Sequence, residues 1–368
     1  MVLLEGECMA VDSDVHGVKD SAMSASYQLL EQANRLVDEG NYRSAITLLE
    51  RAGTHDNREL AQRLIDLRIE SYPKLTWPEP HSNWPPKHDN RFESVDGFPE
   101  VTAADLEIGA LKAGILGKGG LIVRGLMESP LIETMRDNID RVLQARIDLA
   151  TENKPDAADN PWYRRSPCVH GGPVQFRGGV RYSNIGSVWS ADSPPLTFQL
   201  MDYYQKIGLP ALLNSYFSED AVLSVRKWVV RCAAPNNGAS SGWHQDGYFL
   251  GDAAAIRTAN VWIALTDCGG DADAPGLEII GGSERKIHET GTRGSPFDWT
   301  VGEELVAEIA QTNPVQCPRF NAGDALFFDH FNLHRTGFGL NHTQNRYAIE
   351  SWFFAGSTAP RKQQPVVI

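Results

Sequence analysis

Residues 242–247 read Gly-Trp-His-Gln-Asp-Gly. In an extended strand alternate side chains share a face, so His244 and Asp246 can present an imidazole nitrogen and a carboxylate oxygen to one point, with Gln245 turned away. On its own the tripeptide reads as readily as a structural histidine beside a turn aspartate. A second stretch changes that balance. Asp324-Ala325-Leu326-Phe327-Phe328-Asp329 is an apolar strand, His334-Arg335-Thr336-Gly337 follows it, and Arg346 opens another strand. Two imidazoles and one carboxylate form the facial triad that leaves open positions on a non-haem Fe(II). A downstream arginine offers a two-pronged donor for a distal carboxylate, and Thr336 can add a hydroxyl to the same group.

Around these residues the pattern is that of β-structure. Residues 222–230, 260–265, 277–280, 324–328 and 346–354 are short runs rich in Val, Ile, Phe and Trp, separated by Gly, Pro, Asp and Asn. Many short strands with turn signals predict a sandwich or barrel, here preceded by helices. The helical pattern covers 103–113, 130–149 and 197–216, with a strand at 121–123.

The order of motifs resembles one family. WHQDG at 243–247, NVWIALTD at 260–267, GLEIIGGSER at 276–285, GDALFFD at 323–329, LHRTG at 333–337 and Arg346 look like the phytanoyl-CoA dioxygenase-like branch of the Fe(II)/2-oxoglutarate-dependent oxygenases. The resemblance covers roughly 97–356. It implies a mainly β fold with flanking helices, in which a double-stranded β-helix (jelly-roll, cupin-like) forms the core. It makes His244, Asp246 and His334 the iron ligands, and Arg346 and Thr336 the clamp on the C5 carboxylate of 2-oxoglutarate. Asn260 and Trp262 become cofactor-pocket residues, with core packing an equal contender for Trp262. Gln245 reaches substrate or cofactor only where the strand bends. His330 is an alternative ligand to His334, but the Leu-His-x-Thr context and the spacing to Arg346 favour His334. The expected reaction consumes Fe(II)-bound 2-oxoglutarate and O2, releases succinate and CO2, and hydroxylates an unactivated C–H bond. Halogenases of the superfamily replace the carboxylate ligand by a small residue, and Asp246 is retained here. One departure is Glu284, where relatives often carry a histidine.

The chain has 368 residues, which suggests two domains or one with an extension. Residues 1–23 are expected to be a flexible tail, and 24–72 a helical hairpin similar to a tetratricopeptide unit, with apolar stripes at Leu29, Ala33, Leu36, at Ala45, Leu49, Ala52 and at Leu60, Leu64, Leu67. Such a unit caps the rest of the chain, or it docks a protein partner or a second copy. Proline recurs through 73–99, which predicts an extended linker, and 100–368 is the expected oxygenase domain.

Lys plus Arg total 34 against 47 Asp plus Glu, a net charge of −13 that disfavours nucleic acid and anionic membrane as partners. No apolar run approaches the roughly 18 residues of a spanning helix. Five cysteines without a CxxC pair fit reduced thiols in a cytoplasmic protein. The polar stretch 151–195, with Arg164, Arg165, Arg177, Arg181, Tyr163, Tyr182 and Trp189, is the candidate lid, and its arginines suggest a small-molecule substrate with an anionic group. The rival readings are a cupin-like metal-dependent isomerase or hydrolase working without 2-oxoglutarate, and a scaffold without activity.

Overall fold

The computed structural model describes residues 14–52, 57–151, 160–166, 186–235, 242–282, 284–337 and 341–368. The chain divides into two compact units, Met1–Leu75 and Thr76–Ile368. The first contains three helices, α1 (Asp14–Asp38), α2 (Tyr42–Arg51) and α3 (Arg58–Ser71), with α2 packed on both others. Gly40, at φ 79°, turns the chain between α1 and α2, a conformation that costs glycine little. Asn57 caps α3 by accepting hydrogen bonds from the backbone N–H groups of Glu59 and Leu60. Ala33, Ala45, Leu49, Leu60, Leu64 and Leu67 are buried between the helices. Helix α1 begins at Asp14, inside the stretch expected to be a loose tail. That stretch lacks apolar periodicity but contains no proline, so nothing in it stops the helix from extending backwards.

The second unit begins with the proline-rich segment 76–99, which carries no helix or strand. It continues through β1 (Glu100–Thr102), α4 (Ile108–Lys112), β2 (Gly120–Arg124), α5 (Ser129–Thr151) and β3 (Ser187–Trp189). Then come α6 (Pro194–Lys206) and α7 (Leu209–Phe217), where the sequence suggested one helix; Gly208, at φ 69°, breaks it. The strands β4 (Ala221–Ala233), β5 (His244–Gln245), β6 (Thr258–Ala264) and β7 (Gly276–Ile280) follow. Helix α8 (Glu303–Ile309) precedes β8 (Val315–Gln316), β9 (Ala325–Phe328), β10 (Leu333–Gly337), β11 (Arg346–Ala355) and β12 (Pro365–Val367).

The strands form two sheets. The larger has the order β1-β2-β9-β6-β11-β4-β12, with β3 also paired to β4, and the smaller the order β5-β10-β7-β8. Few neighbours in space are neighbours in sequence, and the two sheets make a double-stranded β-helix. Between them lies an apolar core that includes Ile122, Trp262, Ile279, Leu326, Phe328 and Ala348. Helices α5, α6 and α7 lie on the outer face of the larger sheet. There the Tyr204 and Ser351 hydroxyls share a hydrogen bond at 2.6 Å, and the Tyr204 ring meets Phe353 edge-on. Covered on both faces, β6 and β9 are buried throughout, which is why they read as continuous apolar runs and not as alternating ones. Strand β11 is buried everywhere except at Glu350, which is only half-buried.

Candidate metal centre

Strand β5 pairs antiparallel with β10, and the register sets His244 directly opposite His334. Their imidazole rings lie 4.4 Å apart. Gln245 is extended, so Asp246 returns to the face of His244 as the chain enters a tight turn, Asp246–Phe249. The turn depends on Gly247. A Cβ there would lie 2.5 Å from Ile287 Cδ1 and 3.0 Å from the His330 carbonyl, which also accepts a hydrogen bond from the Gly247 N–H. Thus the loop carrying one ligand is seated against the loop leading to another.

The His244 Nε2 and Asp246 Oδ1 atoms lie 3.9 Å apart, and a candidate ligand atom from each of His244, Asp246 and His334 lies within 4.8 Å of the others. Both histidines hydrogen-bond through Nδ1 to the carbonyl two residues earlier, Gly242 at 3.0 Å and Asn332 at 3.1 Å. A carbonyl only accepts, so each Nδ1 carries the proton and each Nε2 offers a lone pair. Burial holds both imidazoles below their usual pKa, with the mutual proximity of the two rings adding to it at His244, and pushes the Asp246 carboxyl well above the usual carboxylate range. Two neutral imidazoles and a buried carboxylate are a donor set suited to a divalent transition metal.

Asn260, on β6, donates from Nδ2 to Asp246 Oδ2 at 2.6 Å. Arg346 is 2 % exposed at the start of β11, with its guanidinium over the Trp262 ring. It donates to the Gly276 carbonyl at 3.1 Å, while its Nε has no hydrogen-bond partner among the described residues. Among the described residues no carboxylate forms an ion pair with it, and burial lowers its pKa to about 10. A buried guanidinium without a carboxylate is costly, and an anionic group beside it would remove that cost. Thr336, half-buried, lies on the face of β10 that carries His334. Trp262 packs in the core against Phe320, and its ring also lies under the Arg346 guanidinium.

Gln245 is placed elsewhere. Its amide donates to the Lys286 and Phe331 carbonyls and accepts from the His288 N–H, so its hydrogen-bonding capacity is spent on backbone away from the triad. Reach toward cofactor or substrate was expected only where the strand bends, and the backbone at Gln245 is extended. His330 is likewise committed: Nδ1 shares a hydrogen bond with Thr258 Oγ1 at 2.8 Å and Nε2 donates to the Ala253 carbonyl at 2.9 Å. It holds two loops together and is not a ligand.

Sequence reading missed the polar groups that the larger sheet adds. Lys227 and Arg231 on β4 and Glu350 on β11 act electrostatically on the triad. Arg231 pairs with Glu350 at 2.7 Å, and the Lys227 ammonium sits over the rings of Trp352 and Phe249 at 4.5 and 4.9 Å. Burial raises the Glu350 carboxyl, but Arg231 and Lys227 together hold it below its usual value. The available signal was a pair of charges four residues apart on each of two largely apolar strands, Lys227 with Arg231 and Arg346 with Glu350, a spacing that puts each pair on one face. Trp299 was missed as well: it meets His244 edge-on at 5.8 Å and stacks on Phe297. Of the candidate lid, Arg177, Arg181 and Tyr182 lie outside the described residues. Tyr163 and Trp189 are buried, and Arg164 and Arg165 are exposed.

Two histidines on the paired strands β5 and β10, with a carboxylate from the turn after β5, give the donor set of the non-haem Fe(II) oxygenases within a double-stranded β-helix. The family model of phytanoyl-CoA dioxygenase (PhyH) matches residues 117–346, and the chain belongs to this family. Similar solved structures include AviO1 from Streptomyces viridochromogenes Tue57, with 17% identity over 68% of this chain and 96% of that one at a TM-score of 0.42. EctD from S. alaskensis, in a structure with 2-oxoglutarate and 5-hydroxyectoine, shows 15% identity over 68% of this chain and 76% of that one at 0.44. SnoK, a non-heme alpha ketoglutarate dependent carbocyclase from nogalamycin biosynthesis, shows 16% identity over 70% and 87% at 0.43. No curated protein sequence matches the chain.

Proposed function

We propose that this protein is an Fe(II)- and 2-oxoglutarate-dependent oxygenase that hydroxylates an unactivated C–H bond of a small, anionic substrate, with release of succinate and CO2. The observation that carries the reading is Arg346, a buried guanidinium that forms no ion pair among the described residues, in the same β-helix as a candidate metal-binding triad. A dicarboxylate co-substrate supplies the carboxylate that such a cation calls for.

The chemistry supplied when Fe(II) and 2-oxoglutarate are bound is O2 activation coupled to oxidative decarboxylation of the 2-oxo acid. His244, Asp246 and His334 would hold the metal. Arg346 binds the distal carboxylate of 2-oxoglutarate, helped by the Thr336 hydroxyl, and Trp262 walls the space between. The retained Asp246 carboxylate favours hydroxylation over halogenation. At the opposite side Trp299 and Phe249 provide apolar surface and exclude water, and Lys227 and Arg231 supply positive charge. Both of these cations already face Glu350, so the anionic substrate group rests on the loop arginines of the sequence. No described helix is long and apolar enough to cross a membrane, and Cys232, Cys268 and Cys317 are free thiols, in keeping with a cytoplasmic setting.

The test is to add Fe(II) and 2-oxoglutarate to metal-free protein without oxygen and record the visible charge-transfer band of a chelated 2-oxo acid. The band is expected in the wild type, with Arg346→Ala raising the 2-oxoglutarate concentration it needs by at least tenfold and His334→Ala abolishing it. Iron uptake without a band at saturating 2-oxoglutarate would remove the co-substrate from the reading and favour a metal-dependent isomerase or hydrolase.

A further inference from the structure

We propose that Asn260 is a positioning residue for the metal site, acting through Asp246. The proposal deepens the oxygenase reading and rests on it only for the identity of the metal ligands. Strand β6 is buried along its whole length, and its register sets Asn260 opposite Phe328 on β9 and Trp352 on β11. A polar amide between two aromatic residues, itself 1 % exposed, is not what packing alone would select. Its Nδ2 donates to Asp246 Oδ2 at 2.6 Å, while its Oδ1 has no hydrogen-bond partner among the described residues. The side chain therefore leaves half of its polar capacity unsatisfied in the core while serving one carboxylate oxygen, a pattern expected of a functional contact and not of a structural one.

The consequence for Asp246 is specific. Rotation about the bond to a carboxylate is soft and nearly two-fold, so burial alone does not fix which oxygen faces the histidines. Asn260 engages Oδ2. The other oxygen, Oδ1, is the one that lies 3.9 Å from His244 Nε2. Asn260 thus orients the Asp246 carboxylate, engaging one oxygen so that the other is the one turned toward His244 and available to a metal. Partners of this kind change metal affinity by about 10–100-fold when removed.

The experiment compares Asn260→Leu and Asn260→Val, a larger and a smaller apolar replacement, with the wild type, using Co(II) as the probe metal. Three quantities are measured: Co(II) affinity from its visible absorption, 2-oxoglutarate affinity of the cobalt-loaded protein, and melting temperature of the metal-free protein. The expected result is Co(II) affinity lowered at least tenfold in each variant that folds, with an altered absorption envelope. 2-Oxoglutarate affinity should stay within about threefold, and the metal-free melting temperature should be equal to or above that of the wild type. A structural role predicts the opposite pairing, in which metal affinity falls only as far as the metal-free protein loses stability. That pattern, or unchanged Co(II) affinity, overturns the proposal and leaves the oxygenase reading intact. Failure of the wild type to bind Co(II) at all overturns both.

Discussion

His330 and His334 stand four positions apart on one loop, and the environment of each ring nitrogen decides their different roles. At His334 one nitrogen is tied to backbone and the other faces His244 and Asp246; at His330 both are tied. Burial lowers the His330 pKa from 6.5 to about 4, with Arg285 adding to the effect and Asp329 opposing it. The unfolded chain therefore takes up a proton at this site between those values and the folded chain does not. The stability contribution is complete above pH 6.5 and is lost as pH falls towards 4, by about 3 kcal/mol across the whole window. In urea unfolding of metal-free protein, His330→Leu should be less stable than wild type at pH 7 but show a shallower loss on going to pH 4.5. Equal slopes in the two proteins would show that this ring does not set the acid sensitivity. At Asp246 and Asn260 sequence gave the residue types, but their pairing across separate strands was invisible in it.

Among the elements, the short ladder between β5 and β10 does most to build the site, because a single register decides whether His244 and His334 meet. Its accuracy depends on the turn that follows. Gly247 lies in contact range of Ile287 and His330, and a methyl group there displaces the turn, and with it Asp246, by several tenths of an ångström or more. Gly247→Ala is therefore expected to fold with a lower melting temperature and to lose Co(II) affinity by at least tenfold. A variant that melts lower but binds Co(II) with wild-type affinity would show that the turn yields without moving Asp246. The HxD spacing was legible as a pattern of period two, β9 as a continuous apolar run, and β11 as a partly alternating one that opens on the downstream arginine. The break between α6 and α7 was less so, because apolar periodicity runs across Gly208 without interruption and the backbone dihedral that stops the helix leaves no trace in it.

For the whole molecule, all residues of the metal centre and its surroundings fall within Thr76–Ile368, which has its own apolar core. Residues 76–368 expressed alone should retain the Co(II) and 2-oxoglutarate affinities of the full chain within about threefold; a larger loss would mean that the N-terminal helices complete the site. The net charge of −13 belongs to the surface, whereas the pocket gathers Lys227, Arg231 and Arg346 against Asp246 and Glu350. An overall charge cannot reveal such a local reversal, since it depends on which faces of β4 and β11 turn inward. The amino-acid sequence by itself determined the β-rich class, because strand-length apolar runs and turn residues show in it directly, and it offered His244, Asp246, His334 and Arg346 as candidates, whose choice came from the resemblance of their motifs, in order and spacing, to one family. Only the tertiary structure decided that His330 and Gln245 brace loops, that Asn260 holds Asp246, and that Lys227, Arg231 and Glu350 face the metal site. Those roles arise from contacts between strands distant in sequence, and hydrogen-bond partners and desolvation exist only once the two sheets have closed on one another.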